Sequence, residues 1–394
     1  MVVFGGPHLE GDEQVYRALV AQLDAGHGYT LIGATFQGVT LVGHGWPADQ
    51  YGRALFFHPP GGIALFWLLH RFAGESGFPL AQILSYAVFY FSLLTLARRV
   101  VVPLRGPVLH AVAALTAFTP IMTHVVSRYW LDGPMLACTT LAAALFASAL
   151  ERRSVRGALL AGLVMGGASW IKTAAFAMLP GLLMLGWAMA EPAARRTALR
   201  LGLVLAAVAV AVQLPWELWQ WRVVGSAFPA WAGKPSTELV AGNDYVYTLT
   251  VVRPAWVYLT LMPRALWTLV PSLACMSATV PGSRSRRVGV ALLAWNAVVI
   301  AVVIGLGLIG YSKLLRYAVL VTPATVLLFG VTVAAVASRL AGPASSGAGR
   351  AHLRWLMALA AVGLMIEIAQ GVFTPLLDHG DLIRPVVWPA AWLY

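Results

Sequence analysis

The sequence predicts an all-α polytopic membrane protein, a transmembrane bundle of about ten spans with two external loops. Three observations carry that expectation. Hydrophobic residues make up 59% of the 394 and charged residues only 11%, far from the balance of a soluble domain. Ten apolar stretches come close to the roughly 20 residues that a helix needs to cross a bilayer. Laid out as spans, these stretches sort the charges by side. Alternate connecting loops collect 15 of the 27 Lys+Arg but only two of the 15 Asp+Glu, Glu151 and Glu191. The other face holds 12 basic and 13 acidic residues. Excess Lys/Arg marks the cytoplasmic side, so nearly all the acids are expected outside, where an acid–base site could be built.

Taken in order, residues 1–78 precede the first confident span. They have neither the basic n-region nor the apolar h-region of a signal peptide, yet the charge rule places them outside. A first helix is therefore expected upstream of Met1, which brings the count to eleven with a cytoplasmic N-terminus. Residues 12–25 read as a short amphipathic helix: Asp12 and Glu13 open it, Val15, Leu19 and Leu23 recur at helical spacing, and Gly26 ends it. Residues 26–57 are Gly-rich and read as irregular loop. His58-Pro59-Pro60-Gly61-Gly62 leads into about a dozen apolar residues, too few to cross comfortably, so a helix on the outer face is expected there. The spans follow at 79–97, 106–126, 132–150, 155–171, 173–190, 197–216, 255–279, 288–310, 315–338 and 353–373. A second external loop at 216–253 mixes aromatics with Lys234, Glu238 and Asp244, and the Gly/Ala/Ser stretch 341–350 reads as a flexible connector. The chain divides into a first external loop with juxtamembrane helices (1–78) and the bundle (79–394), one structural unit.

Several function classes are disfavoured. The net charge of +12 could suggest nucleic acid, but the arginines form short clusters at span ends, as topological anchors do. Cys138 and Cys275 both fall inside expected spans and carry no redox message. No glycine-rich phosphate loop precedes a helix, so a soluble nucleotide donor is not indicated. The nine histidines lack metal-ligand spacing, so a protein-built metal site is not expected.

The chemistry-bearing candidates lie at outer span ends. Asp12 and Glu13 either stabilise a helix N-terminus or supply a general base. Asp132, in Ser127-Arg128-Tyr129-Trp130-Leu131-Asp132, either caps the following helix or belongs to a functional charge pair with a cation such as Arg128. Lys172, between two apolar segments, either snorkels to the interface or neutralises a lipid phosphate. Lys313 and Arg316, in Lys313-Leu314-Leu315-Arg316-Tyr317, make the same offer, Arg with bidentate geometry and Lys as a point charge. His58, a lone histidine beside Pro-Pro, is a weaker candidate for binding phosphate or metal.

Six of these pieces, in this order, resemble the GT-C superfamily of integral-membrane glycosyltransferases, in particular its branch of protein O-mannosyltransferases and lipid A aminoarabinose transferases. They are Gly11-Asp12-Glu13 with Tyr16, His58-Pro59-Pro60, Arg128 to Asp132, the Gly166 to Lys172 helix end, Leu214-Pro215-Trp216, and Lys313 to Tyr317 with Pro323. The resemblance implies a GT-C-like bundle in the plasma (inner) membrane with its active site on the external, periplasmic face. It implies a donor sugar linked to a polyprenyl phosphate, and an acceptor hydroxyl on lipid, polysaccharide or protein. Asp12 maps onto the family's base, with Glu13 beside it and Asp132 orienting acceptor or sugar. Arg128, Lys172, Lys313, Arg316 and His58 would bind the donor phosphate. His58 stands where some relatives carry Lys. Single displacement with inversion is the implied reaction. No cofactor is read from the residues, and the reading leaves room for a divalent cation. Membrane lipids are expected partners and nucleic acid is not. The alternative from another class is a polytopic transporter or lipid flippase, which predicts charge pairs near the bilayer midplane and repeat symmetry.

Overall fold

Two acids at the start of a helix interact favourably with its exposed N–H groups, and helix α1 (Gly11–Asp24) opens on Asp12 and Glu13. Its inward face is Val15, Tyr16, Leu19 and Val20, all buried. The computed structural model describes residues 11–36, 39–40, 59–101, 104, 106–224, 255–256, 258–259, 262, 266–308, 315–342 and 347–378. His58, Lys313 and the expected second loop from residue 225 on lie outside the described residues. Between α1 and residue 40 the described residues are irregular, except for antiparallel strands of two residues each, β1 (Thr35–Phe36) and β2 (Val39–Thr40). That small ladder departs from the wholly irregular loop expected there.

Helix α2 (Gly61–Ala73) is the expected short apolar helix. Its Gly-Gly start is a packing requirement. A Cβ on Gly61 would meet the Trp170 carbonyl oxygen at 2.8 Å, and one on Gly62 would meet the Leu131 side chain at 2.6 Å. The helix is tied to α1 through the Trp67 indole N–H, which donates to Asp24 over 3.0 Å. Helices α3 (Gly77–Val100), α4 (Gly106–Phe118) and α5 (Pro120–Val126) follow. The sequence predicts one span over 106–126, but α4 and α5 are bent by 42°. Pro120 explains the break: its ring disfavours helical geometry in the preceding residue, and Thr119 is extended at ψ 123°.

Helix α6 (Asp132–Arg152) turns into α7 (Val155–Ile171) through Arg153 in the left-handed region, with the Ser154 hydroxyl accepting from the Gly157 N–H. A 3-10 turn at Thr173–Met178 precedes α8 (Leu179–Met189). Helix α9 (Arg195–Val224) crosses α7 so closely that a Cβ on Gly166 would meet Val212 at 2.5 Å. The remaining α-helices among the described residues are α10 (Leu269–Cys275), α11 (Arg284–Leu308), α12 (Thr322–Ala341) with a 3-10 turn Leu315–Val321 before it, and α13 (Gly347–Asp378). Within its apolar window α12 is 94% buried whereas α13 is 28% buried, so α12 forms the centre of the bundle and α13 its wall.

Among the described residues six stretches are long and apolar enough to cross a membrane, or seven with the bent α4–α5 pair. They include 61–100, where α2 and α3 run on through a short 3-10 turn. Within three of the ten expected spans the described residues form shorter apolar helices, at 155–171, 173–189 and 269–278.

The helices also sort the charges. Helix α6 rises by about 30 Å over its length, from Asp132 to Arg152. Arg99 pairs with Glu151 at 2.9 Å, and Arg284 donates to the Arg99 carbonyl oxygen. These arginines therefore gather at the end of the bundle opposite Asp132.

Candidate active site

Four segments meet at the Asp132 end: the start of α1, the start of α6, the end of α7 and the 3-10 turn before α12. Each supplies a charge because each is a helix terminus, where the backbone leaves the apolar interior. Lys172 closes α7 in extended geometry, with φ −156° and ψ 121°, which turns its side chain away from the helix ladder. Its Nζ lies 2.7 Å from Asp132 Oδ1. The Asp132 side chain is 1% exposed and that of Lys172 10%.

The second pair joins residues 304 positions apart: the Arg316 guanidinium donates to an Asp12 carboxylate oxygen. Arg316 also stacks over the Trp130 ring at 4.3 Å and lies 5.5 Å from the centre of the Tyr317 ring. Lys172 Nζ lies 5.2 Å from that same Tyr317 ring. One aromatic ring thus sits under both cations, and cation–π attraction holds each in place without neutralising it. Tyr16, buried, completes the group. Burial first, and then the negative charge of Asp12, raises its phenol pKa well above the ordinary value, so it remains a hydrogen-bond donor.

Asp12 and Glu13 take different environments because adjacent helical residues point about 100° apart. The Glu13 side chain is 1% exposed; one oxygen accepts from the Tyr129 N–H at 2.8 Å and the other lies 3.7 Å from Arg128. It locks the loop that carries Trp130 and Asp132 onto α1. Asp12 is 22% exposed and faces Arg316. Glu13→Gln, which removes the negative charge facing buried Arg128, is expected to lower stability by about 3 kcal/mol. A thermal melt of the purified protein in detergent reads that loss.

Polar atoms in the site without a hydrogen-bond partner among the described residues include Asp132 Oδ2 and Arg316 Nε. A buried polar atom left unsatisfied is costly, and this acceptor and donor sit where a polar ligand would satisfy them. Among the described residues no three His, Cys, Asp or Glu gather closely enough to hold a metal ion.

Of the residues singled out from the sequence, Asp12, Asp132, Lys172 and Arg316 converge, and Glu13 with Arg128 buttresses them. Trp130 and Tyr317 were missed as functional residues, although each stands beside a charged candidate in the sequence. Tyr16, already part of the first motif, gains its place from its contacts.

A family described as dolichyl-phosphate-mannose-protein mannosyltransferase matches residues 57–219, a stretch that includes Arg128, Asp132 and Lys172. No curated protein matches the sequence. Among solved structures the fold is similar to that of ArnT from Cupriavidus metallidurans bound to undecaprenyl phosphate. That likeness has a TM-score of 0.56 at 16% identity, covering 98% of this chain and 78% of that one. The apo form of the same protein gives a TM-score of 0.59 at 15% identity, over 98% and 76% of the two chains. The oligosaccharyltransferase of Archaeoglobus fulgidus gives 0.53 at 14% identity, over all of this chain and 57% of that one.

Proposed function

Because the chain carries the fold of the GT-C membrane glycosyltransferases, we propose that it transfers a sugar from a polyprenyl-phosphate donor to an acceptor hydroxyl, with inversion. The observation that carries this reading is a pair of acid–cation couples, the half-buried Asp12–Arg316 and the buried Asp132–Lys172, sharing the Tyr317 ring at one end of the bundle. Undecaprenyl phosphate bound to ArnT supplies the chemical class of the donor.

In this reaction the acceptor O–H gives its proton to the Asp12 carboxylate as its oxygen bonds to the anomeric carbon. The bond from that carbon to the phosphate oxygen breaks, and the electron pair leaves with the polyprenyl phosphate. Arg316 meets the growing charge on the phosphate with two N–H donors and Lys172 meets it as a point charge. In a site this dry such electrostatic stabilisation is worth far more than in water. Asp132 holds Lys172 in place, and its free Oδ2 accepts a sugar or acceptor hydroxyl. His58 and Lys313 are proposed as further phosphate contacts.

The positive-inside rule places the arginine end in the cytoplasm and the site on the external face of the plasma membrane. In that topology α1 and α2 form the juxtamembrane part of the first external loop, the shorter apolar helices count as spans, and ten cross in all. The test is transfer by purified protein, given labelled polyprenyl-phosphate sugars and a panel of hydroxyl acceptors. The expected result is release of free polyprenyl phosphate that depends on an acceptor. Movement of intact donor across a vesicle bilayer without release would assign a flippase instead.

A further inference from the structure

At the arginine end of the bundle, the segment between α10 and α11, the first turn of α11 and the last turns of α12 leave a cavity of about 240 Å³ between them. Its lining is divided. Val280 and Ala334 present an apolar side, whereas Thr279, Ser283, Ser338 and Arg339 present hydroxyls and a cation. The cavity opens to the outside, since Val280 is 53% exposed and Ser338 and Arg339 are both exposed. Three more arginines, in the first turn of α11, are held by backbone carbonyl oxygens, and one of them reaches a residue of the lining. Arg286 donates to Met276 at 2.9 Å and to the Thr279 hydroxyl at 3.4 Å, Arg287 to Gly282 at 2.8 Å, and Arg284 to Arg99 at 2.9 Å.

None of Arg284, Arg286, Arg287 and Arg339 pairs with a carboxylate among the described residues. Of the two acids expected at this end, Glu151 is taken by Arg99 and Glu191 lies on an exposed turn before α9. Each guanidinium has five N–H donors, and a carbonyl takes only one or two. Arg284, Arg286 and Arg339 are exposed, so their remaining donors and uncompensated charge are open to an anion. A free anion would not account for the apolar side of the cavity, whereas an amphiphile with a negative head would fill both. Basic hollows between membrane helices are favourable sites for anionic head groups.

We propose that this cavity binds an anionic phospholipid, its phosphate against Arg286, Arg339 and the Ser283 and Ser338 hydroxyls and its glycerol and first methylenes against Val280 and Ala334. The site lies at the far end of the bundle from Asp12, and the proposal does not rest on the transferase reading. Its partner chemistry is a phosphodiester carrying net negative charge.

The full chain is purified in detergent and mixed with phosphatidylglycerol, phosphatidylcholine or inorganic phosphate. Lipid retention is read by native mass spectrometry and stability by thermal melting. Phosphatidylglycerol is expected to be retained and to raise the melting temperature, and the other two probes are not. Arg286→Gln with Arg339→Gln weakens retention by about tenfold, judged against each variant's own lipid-free melt. Ser338→Phe, which fills the cavity and leaves every charge in place, does the same. Arg152→Gln removes a charge at the same end away from the cavity and leaves retention unchanged. Wild-type retention by both cavity variants, or equal stabilisation by phosphatidylcholine or by phosphate alone, overturns the proposal.

Discussion

Asp12→Asn is expected to lower sugar transfer by about 10²- to 10⁴-fold, the contribution of a positioned general base. The fold should survive the change. Asn keeps the size of the side chain and can still accept from Arg316. Asp12 is 22% exposed and Arg316 stacks on Trp130 at 4.3 Å, so the arginine keeps a favourable surrounding. A melting curve close to wild type, together with lost acceptor-dependent release of polyprenyl phosphate, is the predicted outcome. The double variant Asp12→Asn/Arg316→Gln separates the two roles. If Asp12 only held Arg316 in place, Arg316→Gln alone would reproduce the whole loss, and adding Asp12→Asn would cost nothing more. If Asp12 is the base, Arg316→Gln loses only the stabilisation of the leaving phosphate, and adding Asp12→Asn lowers kcat further. Full activity in Asp12→Asn would sink the assignment.

Part of this arrangement was legible in the sequence, for identifiable reasons. Helices α3, α6, α9, α11 and α13 lie close to where apolar length places them, because in a bilayer the solvent rewards long uninterrupted apolar runs. The charge asymmetry correctly grouped the arginine clusters at one end, since helices crossing in alternate directions return alternate loops to the same side. Local patterns also located α1, whose capping acids and apolar spacing are all within one helix. What composition could not supply were the breaks and the partners. The bend at Thr119–Pro120 and the 3-10 turn at Thr173–Met178 interrupt runs that are apolar throughout. The pairing of Asp12 with Arg316, across 304 positions, follows from no local rule. The Ser127–Asp132 segment made Arg128 the nearest cation to Asp132. The structure gives Arg128 to Glu13 and Lys172 to Asp132, because Tyr129 and Trp130 turn the loop between them. Trp130 and Tyr317 read as ordinary interfacial aromatics until the cations above them are seen.

The largest effect on stability is expected at the Asp132–Lys172 pair. Lys172→Ala leaves a carboxylate that is 1% exposed without its 2.7 Å partner, in a place where water cannot replace it. Breaking a buried pair from one side costs about 3–5 kcal/mol, because the remaining charge stays desolvated. Such a loss can exhaust much of the stability of a protein of ordinary marginal stability. Removing both charges at once is a different case. Asp132→Asn/Lys172→Met leaves no buried charge, keeps an amide that can stay near the start of α6, and fills the lysine stem with an apolar chain of similar length. Its melting temperature is expected to recover most of the way to wild type, a coupling that a double-mutant cycle measures directly. Transfer should not recover with it, because the cation facing the leaving phosphate is gone. Recovery of stability without activity is the signature of a pair retained for chemistry. If transfer returned along with stability, the pair would be only a structural clamp, and the phosphate would be met by Arg316 without Lys172.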